Sequence, residues 1–300
     1  MESQKMLCCE FVRTLLTWGM GRRAELPWRA TRDPWSVLVA EIMLQQTQTA
    51  RVAPRYHDFL ATFPNPAACA TAPPGEVLRR WEGLGYNRRA VSLHRAAQVI
   101  VERHGGAVPD ALDALLALPG VGPYTARAVR SLAFGHDCGV LDTNAARVLA
   151  RALAGRRLSQ GEAQSLADSI VPPGRSRDWN QAVMDLGSGV CTRKGPRCGD
   201  CPVLHLCAWA ATGWQQPDPA DGTAGSSVPQ SPFAGSDRQG RGRLVQALRA
   251  GPLPLDQAPQ ASGWAQDPER AHRVVDALIA EGLAEHRDGV LRLPSSGRAD

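Results

Sequence analysis

The chain lacks several things that would have narrowed its class in other directions. No apolar run reaches the length of about 18 residues needed to span a bilayer, so no membrane segment is expected. Met1 to Glu10 carries no charged-then-apolar signal pattern, so export is not expected either. Aromatic residues make up only 5% of the 300 residues, and eight of them are Trp. No good run of alternating strand residues precedes residue 280, which excludes a sheet-based body. At 43% hydrophobic and 21% charged residues, the composition is that of one large or two medium soluble domains.

Cysteine is present in an uneven way. Four of the eight lie in one stretch, Cys191, Cys198, Cys201 and Cys207, with spacing C-x6-C-x2-C-x5-C. Zinc sites pair their ligands as two short knuckles far apart. Here only Cys198 and Cys201 form such a knuckle. One compact loop giving all four thiolates suits a cubane iron–sulfur cluster better. Structural zinc is the alternative, and a disulfide pair the third. Arg193, Lys194 and Arg197 lie between the ligands, so the stapled loop is also a basic platform for phosphate. The clustering points to metal ligands in a reducing compartment rather than a disulfide framework. Cys8, Cys9, Cys69 and Cys138 are expected to be buried small apolar residues.

The formal charge of +5 is unevenly spread. Residues 211–300 carry a net −2, so residues 1–210 carry +7. A basic surplus on the part that ends in the cysteine loop attracts polyanions, although a generally basic enzyme surface would look the same.

Residues 1–210 read as short helices in near-continuous succession, with apolar residues at helical spacing in Phe11–Leu15–Trp18 and Val183–Leu186–Val190. Residues 211–232 have Pro/Gly/Ser/Gln linker composition. Residues 233–294 read as helices followed by a two-stranded ribbon turning at Asp288-Gly289, a small winged-helix-like module, with 295–300 a tail. The fold class is all-α with this appended unit.

Three local patterns carry chemistry. Leu118-Pro119-Gly120-Val121-Gly122 separates two helical stretches, as in a helix-hairpin-helix; a plain helix–helix turn is the simpler reading. Pro123 starts the next helix, whose free N–H groups form a phosphate site. Asp142 follows in Val140-Leu141-Asp142-Thr143-Asn144, where a helix N-cap alone would account for it. Glu41 is the only charged residue between Asp33 and Arg51 and lies beside an apolar stripe. A carboxyl there loses hydration, and its pKa is expected to rise. A protonated carboxyl with an ionised partner is the pair used to cleave glycosidic bonds.

The hairpin, the Asp142 helix and the four-cysteine loop together resemble the helix-hairpin-helix, Gly-Pro-Asp DNA glycosylases with a 4Fe-4S cluster. Leu26-Pro27-Trp28-Arg29, Glu41 to Gln48 and Gly83-Leu84-Gly85-Tyr86 are similar to the adenine glycosylases of the MutY type, from about residue 10 to 210. The resemblance implies a two-lobed fold, with one lobe over 26–134 and a second built from 1–25 and 135–210, that removes adenine mispaired with 8-oxoguanine or guanine in double-stranded DNA, in a bacterial cytoplasm, as a monomer. It implies Glu41 as the general acid at adenine N7, Asp142 as the stabiliser of the sugar cation, and Tyr124 and Asn144 as assistants. Trp28, Arg29 and Asp185 would line the adenine pocket. Gln46, Thr47, Leu84 and Tyr86 would wedge and contact the opposite strand, and Gly120, Val121 and Gly122 would hold phosphate. Cys191, Cys198, Cys201 and Cys207 would ligate the cluster.

Related endonuclease III-type enzymes place Lys where this chain has Tyr124. A phenol forms no imine, so a monofunctional glycosylase is expected. The module at 233–294 is too short for the Nudix-like domain that many MutY-type proteins carry, which leaves lesion preference open. The rival readings are a thymine-mismatch glycosylase of the same superfamily and a non-catalytic iron–sulfur DNA-binding regulator.

Overall fold

Proline, scattered through the sequence as punctuation, opens five of the described α-helices by occupying their first position: Pro34, Pro66, Pro74, Pro123 and Pro268. The ring fixes φ near the helical value, and the missing N–H would have had no intrahelical partner there. The computed structural model describes residues 2–20, 26–223 and 232–295, with side chains from Cys9 onward; the Cys8 side chain and the stretches expected to finish the linker and the tail lie outside what it describes. Its helices are α1 (Glu2–Met20), α2 (Pro34–Leu44), α3 (Thr49–Thr62), α4 (Pro66–Thr71), α5 (Pro74–Arg80), α6 (Arg88–His104), α7 (Leu112–Leu116), α8 (Pro123–Leu132), α9 (Thr143–Val148), α10 (Gln160–Ser169), α11 (Ser176–Gly189) and α12 (Ala208–Ala211). The last stretch holds α13 (Asp237–Ala250), α14 (Ala258–Ser262) and α15 (Pro268–Ala280), with strands β1 (Leu253–Pro254), β2 (Glu285–Arg287) and β3 (Val290–Arg292).

The chain forms two compact units. The first comprises residues 1–37, 110–112 and 122–228. Its core joins Phe11 and Leu15 of α1 to Trp179, Val183 and Leu186 of α11 and Val148 of α9. Phe11 meets Trp179 edge-on at 6.3 Å. Close helix contact needs small residues: a Cβ on Gly187 would sit 2.7 Å from the Cβ of Asn144. Cys69 and Cys138 are buried as expected, but Cys9 is exposed, one position off the Phe11–Leu15 stripe. Residues 211–223 are held against this unit. Thr223 is buried and its hydroxyl accepts from the Leu158 amide at 3.1 Å, while Asp218 pairs with Arg151.

The second unit comprises 38–109, 113–121 and 229–300. Phe59 packs edge-on against Phe63 and Trp81, over a buried layer that includes Leu78, Leu93 and Ile100. The C-terminal module belongs to this unit. Arg249 of α13 donates to the Leu78 carbonyl at 3.0 Å and to Asn87 Oδ1 at 2.9 Å, and the Gly75 amide donates to the Pro294 carbonyl at 2.8 Å. Element order α13-β1-α14-α15-β2-β3, with antiparallel strand order β1-β3-β2, is that of a winged helix. The expected two-stranded ribbon is therefore three-stranded. Its extra strand has only two residues, Leu253 pairing Leu291 and Pro254 pairing Val290, too short to show alternation in sequence. Asp288 and Gly289 both take positive φ (50° and 75°), as the expected tight turn requires.

Candidate active site

Asp142 in the first unit is the N-cap of α9. Its Oδ1 accepts from the Ala145 amide at 2.6 Å, and its Oδ2 accepts from Nδ2 of Asn144 at 2.8 Å. Both carboxylate oxygens are thus fixed in direction by donors within three residues. Asn144 is in turn held by Arg147, whose Nη2 donates to Asn144 Oδ1 at 2.7 Å and to the Gly187 carbonyl at 2.6 Å. The Nε of Arg147 donates to the Cys191 carbonyl at 2.6 Å. Burial lowers the Arg147 pKa, with the Cys191 sulfur opposing that shift. A continuous hydrogen-bonded path thus runs from the cysteine loop to Asp142.

The four thiols of Cys191, Cys198, Cys201 and Cys207 line one cavity together with apolar residues, among them Val148, Leu186, Val190 and Trp209, and with the charged Arg151. Burial raises the pKa of Cys191 and Cys207 and pushes the Cys201 thiol up to about 11. Such a pocket keeps protons on sulfur unless a metal centre replaces them, which fits a soft-metal group that brings its own positive charge. Among the described residues no three His, Cys, Asp or Glu side chains form a group that could hold a single metal ion. Arg151, 2% exposed, lies against the same loop. Its Nη1 is 3.6 Å from the Cys191 sulfur and donates to the Thr192 carbonyl at 2.8 Å, and its guanidinium stacks on Trp209 at 5.0 Å. Asp218 takes up its charge through Nε at 2.9 Å and Nη2 at 2.5 Å. Arg151 sits in a π-helical turn (Leu149–Ala154) that continues α9, the kind of widened turn found at functional sites.

Trp28 is buried in a short 3₁₀ turn, and Arg29 beside it makes a two-pronged ion pair with Asp185 of α11, at 2.9 and 2.6 Å. Arg177 donates to the carbonyls of Arg29, Thr31 and Leu132 and so anchors that turn. Tyr124 is half-buried in the first turn of α8, whose N-cap is the exposed Gly122.

In the second unit Glu41 is 5% exposed within α2, among Val37, Leu38 and Ile42. Immediately after that helix the chain turns through Gln46, which takes φ 54°; Tyr86 in the loop Gly83–Tyr86 takes φ 45°. Two non-glycine residues in the left-handed region cost energy, and such strain persists only where surrounding structure imposes it. Arg89 imposes it. Its Nη1 donates to the carbonyls of Ile42, Met43 and Gln45 (2.9, 2.8 and 2.6 Å), and its Nη2 to Thr47 Oγ1, Leu84 O and Gly85 O (2.9, 3.1 and 3.1 Å). One guanidinium therefore satisfies the open end of α2 and welds it to the Gly83–Tyr86 loop. Burial lowers the Arg89 pKa to about 10, which leaves it charged at neutral pH. Tyr86 and Gln46 are exposed at the loop tips, Thr47 is half-buried, and the Leu84 side chain is 3% exposed beneath them. Gly120 takes φ 80°, with its carbonyl 3.4 Å from Gln45 Nε2, and Val121 is buried.

The sequence reading missed Arg89, Arg147 and Arg151. Each works on backbone carbonyls or on residues distant in sequence. The only sequence-level trace is that all three stand at positions where a helix would otherwise present an apolar or neutral residue to its interior side.

The description "HhH-GPD superfamily base excision DNA repair protein" matches residues 39–173. Over 294 residues the chain is 41% identical to the adenine DNA glycosylase of Mycobacterium tuberculosis, covering 94% of this chain and 93% of that one. The chain belongs to the adenine DNA glycosylase family. A span of 94% cannot omit the module at 233–294, so that family member carries a counterpart of it. Among solved structures, a thermostable thymine-DNA glycosylase is 32% identical with TM-score 0.64, over 69% of this chain and 98% of that one. A trapped endonuclease III–DNA covalent intermediate is 25% identical with TM-score 0.61, over 72% and 99%. The adenine glycosylase match is the higher in identity and the longer, which places the thymine reading second. No described helix is long and apolar enough to cross a membrane.

Proposed function

We propose that this adenine DNA glycosylase family member hydrolyses the N-glycosidic bond of adenine mispaired with 8-oxoguanine or guanine and leaves the strand intact. The observation that carries the reading is the 41% identity to an adenine DNA glycosylase along almost the whole of both chains. Adenine in a duplex must flip out before a protein acid reaches it, at a cost of a few kcal/mol that is least at a mismatch. Gln46 and Tyr86, held at strained exposed tips, fill the gap left behind. Trp28 and the Arg29–Asp185 pair bound the adenine pocket.

Glu41, buried in an apolar stretch, gives its proton to N7. The C1′–N9 bond then breaks with its electron pair leaving on a neutral base. Asp142, its two oxygens fixed by Ala145 and Asn144, stabilises the cationic sugar. Water adds at C1′ and returns a proton to Glu41. Tyr124 cannot form the imine that would lead to strand cleavage. Cys191, Cys198, Cys201 and Cys207 would hold a 4Fe-4S cluster, which supplies a rigid staple for the basic loop when bound.

The test is base release from A:8-oxoguanine, A:G and T:G duplexes, with and without hot alkali, by protein whose absorption near 400 nm has been recorded. Adenine release with breaks only after alkali is the expected result. Release of thymine instead, or a borohydride-trapped adduct with breaks before alkali, overturns it.

A further inference from the structure

We propose that the C-terminal module is a DNA-backbone clamp, with Arg238 and Arg241 of α13 facing Arg51 and Arg88 across a cleft of about 880 Å³ within the second unit. The inference rests on the reading of the Gln46 and Tyr86 loops as DNA contacts, because those loops form the other wall of the same cleft.

Charge argues first. Arg51, Arg88, Arg89, Arg238 and Arg241 all line the cleft, and among the described residues no Asp or Glu does. The nearest compensation is Glu281, which takes Arg88 at 3.5 Å and also pairs with Arg241, so one carboxylate aims two guanidiniums. A cleft lined by guanidinium groups attracts a polyanion. Helix geometry argues second. Arg238, Arg241, Gly242 and Val245 recur at i, i+3, i+4 and i+7, which presents them on one face of α13. Exposed aromatics argue third. Tyr86 and Phe233, 44% and 58% exposed, both line the cleft, and the Arg238 guanidinium lies 5.9 Å from the Phe233 ring. Aromatic faces among arginines suit nucleotides better than a protein partner.

The surface used is not the one a winged helix ordinarily offers. Its second helix of the turn, α15, presents Glu269, His272, Arg273 and Asp276 outward, a face with no basic surplus. The clamp therefore lies on α13 and serves affinity rather than base readout.

The full-length protein is titrated onto an undamaged fluorescein-labelled duplex by anisotropy between 50 and 200 mM salt, for the parent, Arg238→Ala, Arg238→Lys and Arg51→Ala. Each alanine variant is expected to lower the slope of log K against log salt by about 1, so the parent loses about fourfold more affinity over that range. Arg238→Lys retains the parent slope. Unchanged slopes for both alanine variants, with melting temperatures equal to the parent's, overturn the clamp and assign the cleft to a protein partner instead. A parent that binds with the expected slopes but releases no adenine sinks the proposed reaction and leaves the clamp standing.

Discussion

Arg147 and Asn144 meet at 2.7 Å, Nη2 to Oδ1, and this contact joins the cysteine loop to the carboxylate of Asp142. On one side Arg147 holds the Cys191 carbonyl; on the other Asn144 holds Asp142 Oδ2. The loop thereby orients a carboxylate that is about fifty residues away in sequence. Replacing Arg147 by Ala leaves the buried carbonyls of Cys191 and Gly187 unpaired, at about 1–3 kcal/mol each. We expect a lower melting temperature and a drop in single-turnover adenine release of roughly 10–100-fold, the usual effect of losing an outer support of a site. A rate equal to the parent's in protein of normal absorption near 400 nm would show that Asp142 needs no such support.

Asp142→Asn separates the structural role of this residue from its chemical one. Asn is as good an N-cap as Asp, so α9 and the melting temperature are expected to change little. In the proposed reaction the charge that stabilises the sugar cation is lost, so base release should fall by at least about 10²-fold while duplex affinity holds. Parallel loss of binding and release would mean that the residue acts only through the fold.

Asp218→Asn tests the strap formed by residues 211–223. Burial pushes the Asp218 carboxyl up, but hydrogen bonds from Arg151 and the Ala220 amide outweigh it and hold the pKa below its ordinary value. A carboxyl depressed in the fold contributes stability above its unfolded value near 3.8, and that contribution is lost as pH falls through the lower folded value. At neutral pH the variant should be less stable by on the order of 3 kcal/mol, because Arg151 is left buried without its counter-charge. The gap should close as pH drops below 3.8. Denaturant melts across pH would reveal this, and a gap constant with pH would count against the ion pair as its source.

Gly120→Ala should be disruptive for two separable reasons. The position has φ 80°, and an added Cβ would lie 2.7 Å from the Cβ of Ser92 on α6. The left-handed backbone alone costs roughly 1–2 kcal/mol for a residue with a Cβ. Adding Ser92→Gly to Gly120→Ala removes the collision but not the backbone cost, so the double variant should recover part of the lost stability. No recovery at all would place the whole penalty in the backbone.

Local signals in the sequence were enough for most helices, because a proline at a first turn, an Asn, Asp or Ser cap and an apolar stripe act over a few residues. They also marked the turn at Asp288-Gly289 and the winged-helix order of the C-terminal module. The burial of Cys9 was misjudged because an isolated small residue does not reveal which face of α1 it occupies. The two-residue β1 was missed because pairing with β3, not its own composition, makes it a strand.

The chain alone determined the set of four cysteines, the cap at Asp142, the dry setting of Glu41 and the tyrosine at 124, since residue type and spacing fix these. Only the folded molecule decided what holds them. Arg89, Arg147 and Arg151 bind carbonyl groups brought near by tertiary contact, and every residue has a carbonyl, so no sequence pattern announces which ones an arginine will find. The same holds for the cleft beside α13. Its arginines are separated in the chain by almost two hundred residues and line one cleft only once the second unit has folded.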